Sequence, residues 1–199
     1  MARIPAPDSR ERILRAASRL FYAHSVRAVG TDRVVTAAGT GKKLLYQHFA
    51  TKDDLVAAYL ERVRERRTTA TRTALDAAGA DPGDQLVAAV AEVGELLRDP
   101  DFRGCAFRNY LVEHPEPPTG PGHAVARAYL ADSRAVVDGL AARLGCCEPA
   151  VVADQVWMLV DALYLQAAYR PAGDAGRDIG GLIDSAVGVA RTVVAAAVS

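Results

Sequence analysis

The 199-residue chain has little cysteine: Cys105, Cys146 and Cys147 are all it holds. An odd count with no paired framework argues against a disulfide-stapled secreted domain and fits a reducing compartment. No uninterrupted apolar run approaches the roughly 18 residues a membrane helix needs, and the opening MARIPAPDSR lacks the apolar centre of a signal peptide. The expectation is a cytoplasmic chain with no membrane partner. Strand-like alternation and tandem repeats are missing too, which leaves helices as the building material. There is no glycine-rich phosphate loop, and Cys105 and His114 lack the surroundings of a nucleophile and its base, so no catalytic residue and no cofactor are expected. The vicinal Cys146-Cys147 pair has no flanking histidine or third cysteine, so no metal site is expected. Thiol-based sensing there is a minor alternative to incidental thiols.

Net charge is also lacking, with 24 basic and 24 acidic residues, a poor start for a nucleic-acid binder. The zero is a cancellation. Residues 1–52 hold ten Arg and Lys against three acids, a net +7, and residues 53–199 hold fourteen against twenty-one, a net −7. Such asymmetry fits a small nucleic-acid-reading module joined to a body with another task.

The basic part centres on residues 31–49, TDRVVTAAGTGKKLLYQHF. Val34, Val35 and Ala38 recur at helical spacing before Gly39, and Leu45 and Phe49 recur at i, i+4 after it, giving two short segments with one apolar face each. Glycine lets the chain leave the first sharply and enter the second at a steep angle, as a helix-turn-helix requires. The second segment then turns Lys42, Lys43, Tyr46, Gln47 and His48 outward, all able to donate hydrogen bonds to phosphate or base edges. No carboxylate interrupts them. Lys42 and Lys43 are candidate phosphate or guanine contacts, and Gln47 could read adenine. Thr31 opens the first segment, where exposed N–H groups and a positive dipole end suit a phosphate.

Gly39, Lys42, Leu45, Tyr46, His48 and Phe49, followed by Thr51-Lys52-Asp53-Asp54-Leu55, resemble the signature of the tetracycline-repressor (TetR) family of transcriptional regulators, roughly G-V-S-K-x-T-L-Y-x-H-F-x-S-K-x-x-L. The likeness covers about the first third of the chain. It implies that Tyr46 and His48 contact phosphate and that the helix before the motif braces it. The chain departs from the pattern at Thr40, at Gly41, where a serine usually caps the second helix (worth about a few tenths of a kcal/mol), and at Leu44, where a threonine commonly touches DNA. Leucine offers only apolar contact, for instance to a thymine methyl, so the operator cannot be copied from relatives.

In chain order, residues 1–7, with Pro5 and Pro7, read as a flexible arm. Asp8 with Glu11 reads as a capping pair opening a helix of about four turns, its apolar stripe Ile13, Ala16, Ala17, Leu20 and Phe21 and its other face Arg10, Arg12, Arg15 and Arg19. Thr51 and Asp54 form a second capping-box pattern, with Lys52 free to meet phosphate, at the head of a long helix to about residue 78. Further helices are expected over about 86–97, 102–113, 124–144, 150–169 and 179–198, with Pro/Gly-rich breaks at 114–122 and 171–176. The last helix carries Ile179, Leu182, Ile183, Ala186, Val187, Ala190, Val193, Val194 and Ala197, a stripe too wide for one core face. Since a helix-turn-helix dimer reaches two half-sites about 34–36 Å apart, the last two helices are expected to form a homodimer interface, as the resemblance also implies. The resemblance further places an effector cavity near Cys105, Phe107, Tyr110, Trp157, Met158 and Tyr164, although an aromatic stripe at helical spacing also reads as plain core.

The expectation is therefore an all-α chain: an arm at 1–7, a three-helix DNA-binding domain at 8–68 with its helix-turn-helix at 31–50, and a helical effector-binding and dimerisation domain at 69–199. Its expected partners are a palindromic duplex operator, a second copy of itself and a small-molecule effector, with a constitutive DNA-binding protein as the alternative. The DNA-contacting set is Thr31, Lys42, Lys43, Leu44, Tyr46, Gln47, His48 and Lys52.

Overall fold

The computed structural model describes residues 8–114, 120–167 and 178–198. The expected arm at 1–7, most of the 114–122 break, the end of the helix drawn to 169 and the 171–176 break lie outside them. In order the helices are α1 Ser9–His24, α2 Thr31–Ala37, α3 Lys42–His48, α4 Lys52–Ala77, α5 Pro82–Glu95, α6 Ala106–Glu113, α7 Pro121–Arg143, α8 Pro149–Gln166 and α9 Ile179–Ala197, with one 3-10 turn at Leu96–Arg98. The fold is all-α, and no strand occurs among the described residues.

The chain divides into two compact units. The first holds residues as far as Glu65 together with Cys105–Tyr129, so α6 and the first turns of α7 share a unit with the helix-turn-helix, where the sequence reading had placed them in the body. Its centre is the apolar face of every element: Ile13, Ala17, Val34, Leu45, Leu55 and Leu60 are fully buried. Phe21 meets Tyr59 edge-on at 5.7 Å, and Phe107 stacks on Tyr129, contacts that add to the area they bury. Arg62 on α4 reaches Glu11 on α1 at 2.7 Å.

The second unit holds Arg66–Gly104 and Leu130–Ser199. Here α5, α8 and α9 pack on one another. The α5 and α9 backbones come close because α5 is glycine where they meet: a Cβ on Gly94 would stand 3.0 Å from Ile183, and one on Gly83 2.6 Å from Val194. Arg67 and Glu92 form a two-pronged ion pair with both side chains about 86% buried.

Several expectations change. Asp8 has helical backbone angles already, and its carboxylate caps nothing; it lies 3.9 Å from Arg12 instead. The helix drawn over 102–113 begins only at Ala106, because Gly104 at φ +87° breaks it. Finally, α9 is long and apolar enough to cross a membrane by length and composition. Asp184 and Arg191 interrupt it, so it is not an unbroken apolar run. Thr51 and Asp54 do cap α4 reciprocally: the Thr51 N–H donates to the Asp54 carboxylate at 2.9 Å, and the Asp54 N–H donates to Thr51 Oγ1 at 3.1 Å.

Candidate nucleic-acid interface

The site is built on α2 and α3. Val34 and Val35 are buried under α2, and Leu45 and Phe49 under α3. Between them Gly39 takes φ +61°, a conformation that costs glycine little and a β-carbon more. Gly41 occupies the N-cap of α3 in extended backbone, with no side chain to bond the first turn. With the apolar pairs turned inward, the remaining positions of α3 face solvent: Lys42, Lys43, Tyr46 and Gln47 are exposed, and Leu44 and His48 are half-buried.

The eight expected contacts divide by what their side chains already hold. Lys42 donates to Asp32 on α2 at 2.8 Å, and that hydrogen bond, reinforced by the carboxylate's charge, holds its ammonium above its ordinary pKa. His48 Nε2 shares a 2.7 Å hydrogen bond with Ser9 Oγ. Lys52, expected to be free, donates to the Val26 carbonyl at 2.7 Å and lies 6.0 Å from the Phe21 ring centroid. One of the ammonium's three donors is therefore used within the first unit. Lys43, Tyr46 and Gln47 project from α3, while Thr31 opens α2 directly after its N-cap, Gly30.

Two neighbours escaped the sequence reading. Arg33 is exposed on the outward face of α2 with Asp32 and Thr36, and the inward spacing of Val34 and Val35 already implied it. Ser9, only 1% exposed, carries no signal in sequence, since its partner His48 lies 39 residues away. On α1, Arg10 sits 5.0 Å over the Phe49 ring. Glu11 takes Arg62 and, at 3.6 Å, Arg15; the Arg62 hydrogen bond chiefly holds its carboxyl below the usual glutamate range.

The six effector-cavity candidates separate. Cys105, Phe107 and Tyr110 belong to the first unit, and Trp157, Met158 and Tyr164 to the second. Phe107 is stacked on Tyr129 and Tyr110 on His114, both as packed core. Burial, with Asp53 adding to it, pushes the Tyr110 phenol pKa up. Tyr164 packs near Phe102 at 6.1 Å, while Met158 is 62% exposed and stands on an open face of α8. A cavity in the first unit, bounded by Phe21, Ser25, Tyr59, Asn109, Tyr110 and Glu113 among others, measures about 30 Å³, room for a water or two. Cys146 is half-buried and Cys147 exposed, both as free thiols.

Residues 13–59 match the family model described as "Bacterial regulatory proteins, tetR family". Over 116 residues the chain is 33% identical to the HTH-type transcriptional activator FasR of Mycolicibacterium smegmatis, covering 57% of this chain and 52% of that protein. The chain thus spans about half the length of the curated relatives it matches. Among solved structures it is similar to SCO4454, a TetR-family transcriptional regulator from Streptomyces coelicolor, at 27% identity and TM-score 0.82, with 96% of this chain and 97% of that one covered. It shares its fold with AibR in complex with isovaleryl coenzyme A and operator DNA, at 18% identity and TM-score 0.70, over 91% and 97% of the two chains.

Proposed function

We propose that this chain, which belongs to the TetR family of bacterial regulatory proteins and is a DNA-binding transcriptional regulator, is a cytoplasmic repressor that grips a palindromic operator as a homodimer and is released by a small-molecule effector. One observation carries the DNA-reading part: Lys43, Tyr46 and Gln47 project from α3 with no carboxylate between them. In this reading residues 8–68, joined as far as Glu65 in one compact unit by α6 and the start of α7, form the head, and the rest of 69–199 forms the effector-binding and dimerising body. Each head lays α3 in a major groove, where Lys43 and Tyr46 meet phosphate, Gln47 and Leu44 face base edges, and Thr31 offers the start of α2 to the backbone. Lys42, His48 and Lys52 act chiefly by holding α3 in place, Lys42 also adding its charge to the phosphate field.

The dimer is supported by the open apolar side chains of the last two helices: Met158 and Leu165 on α8, and Val189 on α9, are each about half exposed or more. Exposed apolar patches of this kind mark association surfaces. The effector is supported by the shared fold with AibR, whose structure holds both a ligand and operator DNA. A second reading, a constitutive DNA-binding protein, draws on Met158, which stands in the open rather than in a cavity wall. The name of FasR, an activator, makes the opposite sign of regulation the other competitor.

The experiment is a mobility-shift titration of the purified protein against duplex DNA from upstream of its own gene, with and without candidate ligands. A retarded band that a ligand abolishes is expected for the repressor. A band that no ligand moves favours the constitutive protein, and no band at low salt rejects the proposal.

A further inference from the structure

Ser25 closes α1 at φ +76°, ψ +142°, and it is the one non-glycine residue at positive φ among those described. With ψ that extended it lies outside the left-handed helical well that commonly ends helices, in a positive-φ region that glycine enters readily and a β-carbon strains. Strained backbone persists only where its surroundings over-determine it. At Ser25 those surroundings are specific. Its hydroxyl donates to the Glu113 carboxylate at 2.7 Å, across 88 residues of sequence, and accepts the Arg27 N–H at 3.1 Å. Glu113 is the last residue of α6.

The restrained loop is short and leads straight to the candidate interface. Val26 and Val29 are buried, Lys52 holds the Val26 carbonyl, and Gly30 then caps α2 ahead of Thr31. The roughly 30 Å³ cavity adjoins Ser25 and Glu113, so a Glu113 side chain that lets go has space to turn into.

We propose that Glu113 is a positioning residue for DNA binding: by holding Ser25 in its positive-φ conformation it fixes the loop that sets α2, and with it α3, for the groove. The proposal rests on the DNA-binding reading and reaches past it to a residue of α6 that lies outside the helix-turn-helix.

Ser25→Ala keeps the β-carbon and loses the hydroxyl, whereas Ser25→Gly loses both the bond and the reason for needing it. Two readouts separate them: amide hydrogen exchange over residues 26–30 in the free protein, and affinity for a labelled duplex at several salt concentrations. Ser25→Ala and Glu113→Ala should exchange faster and bind about tenfold more weakly, with the salt slope unchanged because no phosphate contact is removed. Ser25→Gly and the double variant Glu113→Ala/Ser25→Gly should stay within about twofold of the parent. Glu113→Gln, which keeps an acceptor oxygen, should behave as the parent. The order glycine above alanine inverts what ordinary loop entropy produces.

Equal exchange in the Ser25→Ala and Ser25→Gly proteins overturns the proposal, whether or not DNA binding changes. A Glu113→Ala protein that glycine at 25 fails to rescue overturns it too. If Glu113→Ala does not fold, the two Ser25 variants still decide. A parent that binds no duplex rejects the DNA reading, while the exchange comparison still judges the Ser25–Glu113 pair.

Discussion

Ser9 and His48, 39 residues apart, share a 2.7 Å hydrogen bond that ties the first turn of α1 to the last residue of α3. Ser9 is almost wholly buried, so the bond closes a polar group that packing has removed from water. Leaving one partner of a buried pair unsatisfied costs about 1–3 kcal/mol. Replacing His48 with Ala should lower the free energy of unfolding by roughly 1–2 kcal/mol in urea titrations and loosen α3 together with its DNA affinity. An unchanged unfolding midpoint would show that the bond carries no weight.

Two glycines make opposite predictions for one substitution. Gly83→Ala places a methyl 2.6 Å from Val194 Cγ1, a branched side chain with little freedom to move, and should destabilise by about 1–3 kcal/mol through overpacking. Gly139→Ala, in α7 with no atom within 4 Å of the new methyl, should stabilise by up to about 1 kcal/mol through helix propensity. Thermal melts of the two variants test the close approach of α5 and α9 directly.

The Arg67–Glu92 pair is a buried charge pair with two-pronged geometry. Removing Glu92 alone takes both prongs away from a mostly buried guanidinium, and Glu92→Ala should cost up to about 3–5 kcal/mol. Replacing both residues together, Arg67→Met with Glu92→Leu, should cost much less than the single change. A chemical-denaturation cycle over the four proteins reads the difference, and equal losses would contradict it.

For the dimer, charge introduced on the open apolar face should separate the subunits and leave each fold intact. Met158→Glu with Val189→Glu is expected to give a monomer by light scattering with unchanged helical circular dichroism. A protein that stays dimeric places the interface elsewhere.

Much of this was legible in sequence where a signal is local. Helical spacing marked the buried faces of α1 to α3, Gly39 marked the turn, and the Thr51–Asp54 pattern marked the start of α4, because each depends on residues within a few positions of one another. What escaped depends on residues distant in the chain. Only folding brings Ser9 to His48, Lys52 to Val26 and Glu113 to Ser25. The sequence shows the donors of His48 and Lys52 but not the acceptors they already hold within the fold. Asp8 failed as a cap because backbone angles, not residue type, aim a carboxylate. The six effector-cavity candidates, placed by resemblance, fall three in each compact unit, a division that depends on long-range packing and leaves no local mark in the sequence.

If paired heads meet phosphate through α3, the salt dependence of duplex binding should differ between the parent and Lys43→Ala proteins. Each phosphate contact contributes about 0.9 to the slope of log affinity against log salt, so losing Lys43 from both heads of a dimer should lower the slope by about 1.8 with the melting temperature unchanged. A slope identical to the parent's would contradict the account.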